Sequence, residues 1–141
     1  VTVIVLLVAR RRWLALMVAV VGALAPLIAN LIKPIVDRPR PVWAVPIETI
    51  DQPSFPSGHA TGGIAVWMLC GIAIGSLLSD SALGAVVALP FILLGFAIGF
   101  SRLVLGVHWP SDMVAGWAVA VCVTCIAGAL FIARSERTVL R

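Results

Sequence analysis

The chain has 141 residues, 62% of them hydrophobic and only 11% charged, with a formal net charge of +4 and a mean hydropathy of +1.15. Soluble domains carry roughly 25% charged residues, so the composition excludes an ordinary soluble fold and points to a membrane setting. The basic residues form no stripe interleaved with aromatics, which argues against nucleic acid as a partner.

In chain order, residues 1–9 form an apolar run that ends at Arg10-Arg11-Arg12. A signal peptide carries its positive charges before the apolar run, not after it. This run therefore reads as the tail of a further transmembrane helix, and the chain as one missing its N-terminus. Four longer runs follow, about residues 13–32, 60–78, 82–100 and 113–133, and none contains Lys, Arg, Asp or Glu. Each approaches the roughly 20 apolar residues needed to cross about 30 Å of hydrocarbon. Each is expected to be helical, because lipid offers no partner for backbone polar groups. The expected fold is all-α: an integral-membrane bundle of four full spans plus an N-terminal helix stub, forming one domain over 1–141.

Glycines four apart, Gly71/Gly75 and Gly95/Gly99, predict close helix–helix approach. Pro26 and Pro90 fall inside spans and are expected to bend them. Asn30, near the end of its span, is read first as an interhelical hydrogen bonder and second as a substrate contact. The cysteines Cys70, Cys122 and Cys125 lie in apolar runs without an electropositive setting, so they read as buried packing residues rather than redox centres.

Alternate connections fall on opposite faces. Arg10, Arg11, Arg12, Arg134, Arg137 and Arg141, six of the ten basic residues, share one face, which the positive-inside bias assigns to the cytoplasm. The remaining four, Lys33, Arg38, Arg40 and Arg102, sit on the other face with both histidines, His59 and His108. A cation costs about 2.5 to 3.5 kcal/mol at a span's centre and less near the interface, and clustered cations repel one another. An anion between Lys33, Arg40 and Arg102 relieves both penalties, and phosphate suits Arg forks and a Lys point charge. For Lys33 or Arg38 taken singly, snorkelling to headgroups suffices as an explanation.

Pro56-Ser57-Gly58-His59 opens the second full span. Ser57 is a natural N-cap, Gly58 permits close backbone approach, and the helix N-terminus favours an anion. A capped helix start with no further role explains the same string. His108 and Asp112 are four apart across Pro110, which suits a first helical position; the last helix is therefore expected to start near Trp109. Asp112 then lies in its first turn and can hold one imidazole nitrogen while the other attacks. The bland alternative is a first-turn carboxylate favoured by the helix dipole. His59, His108 and Asp112 as zinc ligands is a further alternative, opposed by the three neighbouring cations.

Together these segments resemble the signature of the type 2 phosphatidic acid phosphatase family, which shares its site with vanadium haloperoxidases and bacterial acid phosphatases. The family pattern Lys-x6-Arg-Pro, Pro-Ser-Gly-His, Ser-Arg-x5-His-x3-Asp reads here as Lys33…Arg40-Pro41, Pro56-Ser57-Gly58-His59 and Ser101-Arg102…His108…Asp112, with all eleven specified positions met. The resemblance implies that His108 is the nucleophile, forming a phosphohistidine, that Asp112 orients it, and that His59 protonates the leaving group. It implies phosphate contacts from Lys33, Arg40, Ser57, Gly58 and Arg102, and no metal or other cofactor. Ser101 takes no chemical role, and none is carried to Arg38. Membrane members of the family typically have six spans, so the chain reads as a fragment of a six-span protein.

The activity implied is hydrolysis of a lipid phosphate or lipid diphosphate of the phosphatidate, phosphatidylglycerol phosphate or polyprenyl diphosphate type, at the non-cytoplasmic face. A phosphotransferase using the same phosphohistidine and a non-catalytic anion-binding membrane protein are the alternatives. The loop 42–55, with Trp43, Glu48, Asp51 and Phe55, is read as a connector that can also contribute to substrate selection.

Overall fold

In the computed structural model, residues 2–42 and 50–139 are described, with side chains up to residue 130. Trp43 and Glu48 lie outside the described residues. The described chain is helical: α1 (Thr2–Val8), α2 (Arg12–Val36), α3 (Gly58–Gly75), α4 (Ser81–Val104) and α5 (Pro110–Val139). Helices α2, α3, α4 and the Pro110–Leu130 part of α5 are each long and apolar enough to cross a membrane, as the four runs imply.

The spans are longer than the charge-free runs at their polar ends. α2 continues past residue 32 through Lys33 and Pro34 to Val36, and α4 carries Arg102 in its last turn. Both cations are therefore fixed on helices rather than on loops. α3 contains a π-helical turn, Ile64–Met68, which apolar periodicity does not reveal. α2 passes through Pro26 and Pro34, and α4 through Pro90, without losing helical assignment.

α3 is the central helix. It packs against each of the other four, and 56% of its apolar window is buried, against 22–28% for α2, α4 and α5. Its Ile64, Ala65 and Leu69 meet Val18, Val21 and Ala25 of α2 and Ala120 of α5 in one core. The α3–α4 contact depends on glycine. A Cβ on Gly95 would stand 2.9 Å from the Gly63 carbonyl oxygen, and one on Gly84 would stand 2.7 Å from that of Gly75. The expected glycine packing is thus present, with backbone against backbone.

The cysteine expectation needs correction. Cys70 is buried, but Cys122 and Cys125 are exposed. They lie on the outward side of α5, where a membrane helix is as apolar as its interior, so an apolar run does not distinguish packing from lipid contact.

Candidate active site

The C-terminal ends of α2 and α4 and the N-terminal ends of α3 and α5 meet at one end of the bundle, and all three polar segments lie there. After α2 the chain turns at Asp37, whose left-handed backbone (φ 45°) lets its N–H close on the Lys33 carbonyl. The segment that follows is stapled by Ser54, which is fully buried. Its N–H donates to the Arg38 carbonyl at 2.8 Å, and its hydroxyl lies 3.1 Å from the carbonyls of both Arg38 and Pro39. The indole N–H of Trp109 donates to the Pro39 carbonyl at 3.0 Å. Ser54 lies outside the recognised segments, and nothing in its sequence position marks this function.

Ser57 caps α3: its Oγ accepts from the Ala60 N–H at 3.3 Å. It is fully buried and its own N–H donates to the Asp112 carbonyl at 3.0 Å, tying the start of α3 to the start of α5. A Cβ on Gly116 would stand 2.7 Å from the Ser57 carbonyl oxygen, so only glycine lets α5 pass this close. Ser101 turns its hydroxyl to the Ile98 carbonyl, 2.8 Å away on its own helix, which gives that motif position a structural use. Gly106, with φ 69°, provides the turn that leads α4 into His108, a conformation costly for any residue with a Cβ.

A cavity of about 280 Å³ opens among these ends, lined by Pro26, Asn30, Lys33, Arg40, Gly58, His59, Arg102 and His108 together with Ile50 and Gln52. Six of the eight residues singled out from the sequence line this cavity. The other two, Ser57 and Asp112, lie buried behind its wall. Asn30 lies on the wall of this cavity. Pro26, Asn30 and Lys33 recur at i, i+4 and i+7 on one face of α2, so the cavity follows that helix about 10 Å into its span.

The hydrogen-bond pattern assigns the His108 tautomer. Arg40 Nη1 lies 3.1 Å from His108 Nε2, and a guanidinium can only donate, so Nε2 presents a lone pair. Nδ1 then carries the proton and donates to Asp112 Oδ2 at 3.2 Å. Asp112 is fully buried. Its Oδ2 also accepts from the Trp109 N–H at 2.9 Å, and its Oδ1 accepts from Arg38 Nη1 at 2.9 Å. Burial of the imidazole, reinforced by the Arg40 guanidinium, pushes His108 from 6.5 down to about 4, against the opposing pull of Asp112. His108 is therefore neutral at pH 7, with its Nε2 lone pair accepting from Arg40.

Lys33 and Arg40 are oriented largely by main-chain oxygens. Lys33 Nζ donates to the Pro53 carbonyl at 2.6 Å. Arg40 donates to the carbonyls of Gln52 at 2.8 Å and Val107 at 2.7 Å. Carbonyls fix a cation's position without cancelling its charge. The donor set does not resemble a metal centre: both Asp112 oxygens already accept N–H groups, and among the described residues no three His, Cys, Asp or Glu side chains converge as ligands.

A sequence model described as the PAP2 superfamily matches residues 4–136. The decaprenylphosphoryl-5-phosphoribose phosphatase of Mycobacterium tuberculosis (strain H37Rv) is 41% identical over 121 residues, covering 83% of this chain and 60% of that protein. The undecaprenyl-diphosphatase BcrC of Bacillus subtilis is 32% identical over 108 residues, covering 73% of this chain and 51% of that one. The crystal structure of a transmembrane PAP2 type phosphatidylglycerolphosphate phosphatase from Bacillus subtilis superposes with a TM-score of 0.76 at 24% identity, over 86% of this chain and 60% of that chain. At that identity the match speaks for the fold. The chain thus spans between about half and three fifths of the length of these relatives.

Proposed function

Because the chain belongs to the PAP2 superfamily, we propose that it is the phosphatase module of an integral-membrane enzyme that hydrolyses a lipid phosphate or lipid diphosphate through a phosphohistidine. The observation that carries this reading is the line Arg40–His108–Asp112. It presents a neutral imidazole whose Nε2 lone pair faces the cavity and whose Nδ1 proton is held by a buried carboxylate.

In the first step the Nε2 lone pair attacks phosphorus and the bond from phosphorus to the leaving oxygen breaks. His59, exposed at the cavity wall, donates a proton to that oxygen. In the second step His59 takes a proton from water as the water oxygen attacks phosphorus; the N–P bond breaks and inorganic phosphate leaves. Phosphoryl transfer relies on positioning and charge stabilisation. Lys33, Arg40 and Arg102 supply the positive charge, and the start of α3 at Gly58 adds main-chain donors. A phosphate oxygen beside Nε2 offers Arg40 an ionic acceptor stronger than a neutral imidazole, so substrate binding would draw Arg40 off the lone pair it covers.

The continuation of the cavity down α2 favours a lipid substrate, with its phosphate at the cations and its chain along the span. The named relatives act, by their names, on decaprenylphosphoryl-5-phosphoribose and on an undecaprenyl diphosphate, so polyprenyl-linked phosphates lead the substrate panel, followed by phosphatidate and phosphatidylglycerol phosphate. The positive-inside bias of the opposite end supports a site on the non-cytoplasmic face. The test is phosphate release from this panel in detergent with excess EDTA, comparing the wild type with His108→Ala. Release that survives EDTA and is lost in the folded variant is the expected result; release that His108→Ala retains, or that EDTA abolishes, would overturn the mechanism.

A further inference from the structure

We propose that Arg38, which the sequence signature leaves unassigned, is a positioning residue that locks the Asp112 carboxylate toward His108 and thereby sets the protonation of the nucleophile. The proposal rests on the phosphatase reading above for its role in turnover, and on geometry alone for its effect on His108.

Arg38 is held at three points. Its Nη1 donates to Asp112 Oδ1 at 2.9 Å and to Ser111 Oγ at 2.6 Å. Its guanidinium carbon stands 5.5 Å from the centre of the Trp109 ring, a cation–π distance. Its carbonyl is fixed by the Ser54 N–H and hydroxyl. Main chain and head group are therefore both anchored, and the head group sits over the same first turn of α5 that carries Asp112. A long side chain snorkelling to headgroups has no use for this arrangement. Arg38 points back into the protein, with only 34% of its side chain exposed.

The partner makes the contact consequential. Asp112 is fully enclosed, so each of its oxygens needs a donor. Oδ2 has two, His108 Nδ1 and the Trp109 N–H. The donor to Oδ1 named above is Arg38 Nη1. Without that guanidinium the carboxylate gains by rotating to share its other donors, and the hydrogen bond that orients the imidazole loosens. Electrostatics act separately, on the protonation of the imidazole. Among the described residues, the charged groups around the His108–Asp112 pair are Arg38 and Arg40 from the segment after α2, Lys33 from α2 and Arg102 from α4, with His59 of α3 across the cavity. Arg38 is the cation bonded directly to the carboxylate. Removing it leaves the Asp112 charge to act on His108 alone, which raises the affinity of the imidazole for a proton.

The test compares Arg38→Gln and Arg38→Lys with the wild type in two measurements. The first is the pH profile of kcat/KM for phosphate release. The second, independent of turnover, is the pH dependence of His108 modification by diethylpyrocarbonate, which reacts with neutral imidazole, in a His59→Ala background. Arg38→Gln should lower kcat roughly 10- to 100-fold with KM changed less than about threefold, since the residue does not line the cavity. Its acid limb and its His108 modification midpoint should both rise by roughly one pH unit from about 4. Arg38→Lys keeps the charge and should keep the wild-type midpoint, with kcat within about fivefold of the wild type.

An Arg38→Gln protein whose modification midpoint matches the wild type overturns the proposal, as does equal loss in the Gln and Lys variants, the sign of a packing role alone. Should Arg38→Gln fail to fold, a midpoint displaced in Arg38→Lys despite the retained charge overturns it as well. Absence of phosphate release from the wild type would strike the phosphatase reading instead, and the modification midpoints would still decide this one.

Discussion

Replacing Asp112 by Asn changes almost nothing in shape and almost everything in hydrogen bonding. The carboxylate accepts from His108 Nδ1 and the Trp109 N–H through Oδ2 and from Arg38 through Oδ1. An asparagine has one acceptor oxygen and an NH2 that only donates. If the oxygen faces Arg38, the NH2 opposes the Trp109 N–H and can satisfy itself only by donating to His108 Nδ1. The imidazole proton then moves to Nε2 and the attacking lone pair disappears. If the oxygen faces His108 and Trp109, the NH2 meets the guanidinium, donor against donor, in a site with no exposure. The first arrangement is the wrong-tautomer defect, worth about 10⁴ in kcat in Ser-His-Asp triads, or about 5 kcal/mol of barrier. The second keeps the tautomer but leaves a buried donor without a partner, which costs about 1–3 kcal/mol of stability and disfavours it against the first. The assay is phosphate release at pH 7 in excess EDTA, with thermal unfolding run in parallel to show that the variant is folded. A folded Asp112→Asn enzyme retaining a tenth or more of the wild-type kcat would refute the tautomer argument and demote Asp112 to a dipole-stabilising first-turn carboxylate.

Two further outcomes follow from the packing and from the pKa of the nucleophile. Gly95→Ala puts a methyl group 2.9 Å from the Gly63 carbonyl oxygen and 3.3 Å from the Ile64 Cα; both are backbone and cannot swing aside, so the variant should lose about 1–3 kcal/mol. Gly128→Ala, with nothing within 4 Å of its new Cβ, should melt no lower than the wild type, and equal melting of the two variants would count against close α3–α4 packing. His108 is held near 4 when folded, against 6.5 ordinarily. Between those values the unfolded chain takes up a proton that the folded protein refuses, so this contribution is present above pH 6.5 and is lost as pH falls toward 4, reaching about 3 kcal/mol at most. Thermal midpoints measured from pH 7.5 to 4.5 should fall, and His108→Gln should flatten that part of the slope; an unchanged slope in the variant would place the titrating group elsewhere.

The spans and the site could be read from the sequence for the same reason. In lipid, a polar residue stands out against its surroundings, and those at helix ends cannot hide. Lys33, Arg40, His59, Arg102 and His108 are each a helix-end or loop residue beside an apolar run, and the structure gathers all five around one cavity. What the sequence withheld depends on partners distant along the chain. Arg38 meets Ser111 and Asp112, 73 and 74 residues away, and Ser54 staples a segment 15 and 16 residues before it. Neither contact leaves a periodic trace. The outward cysteines of α5 were hidden for the opposite reason: an apolar residue in a membrane helix suits both of its faces, so hydropathy carries no information on direction.

Three of the four cations at this end divide into two kinds of work. Lys33 and Arg40 donate to the main-chain oxygens of Gln52, Pro53 and Val107, neutral groups that fix the geometry of both cations. Arg38 instead bonds a carboxylate, and its charge is largely answered there. That difference explains how several cations can crowd one end of a membrane bundle without all acting on the same anion. It also predicts which substitutions raise KM and which lower kcat: those among the carbonyl-held cations should weaken substrate binding as well as turnover, whereas those at Arg38 should act on the nucleophile alone.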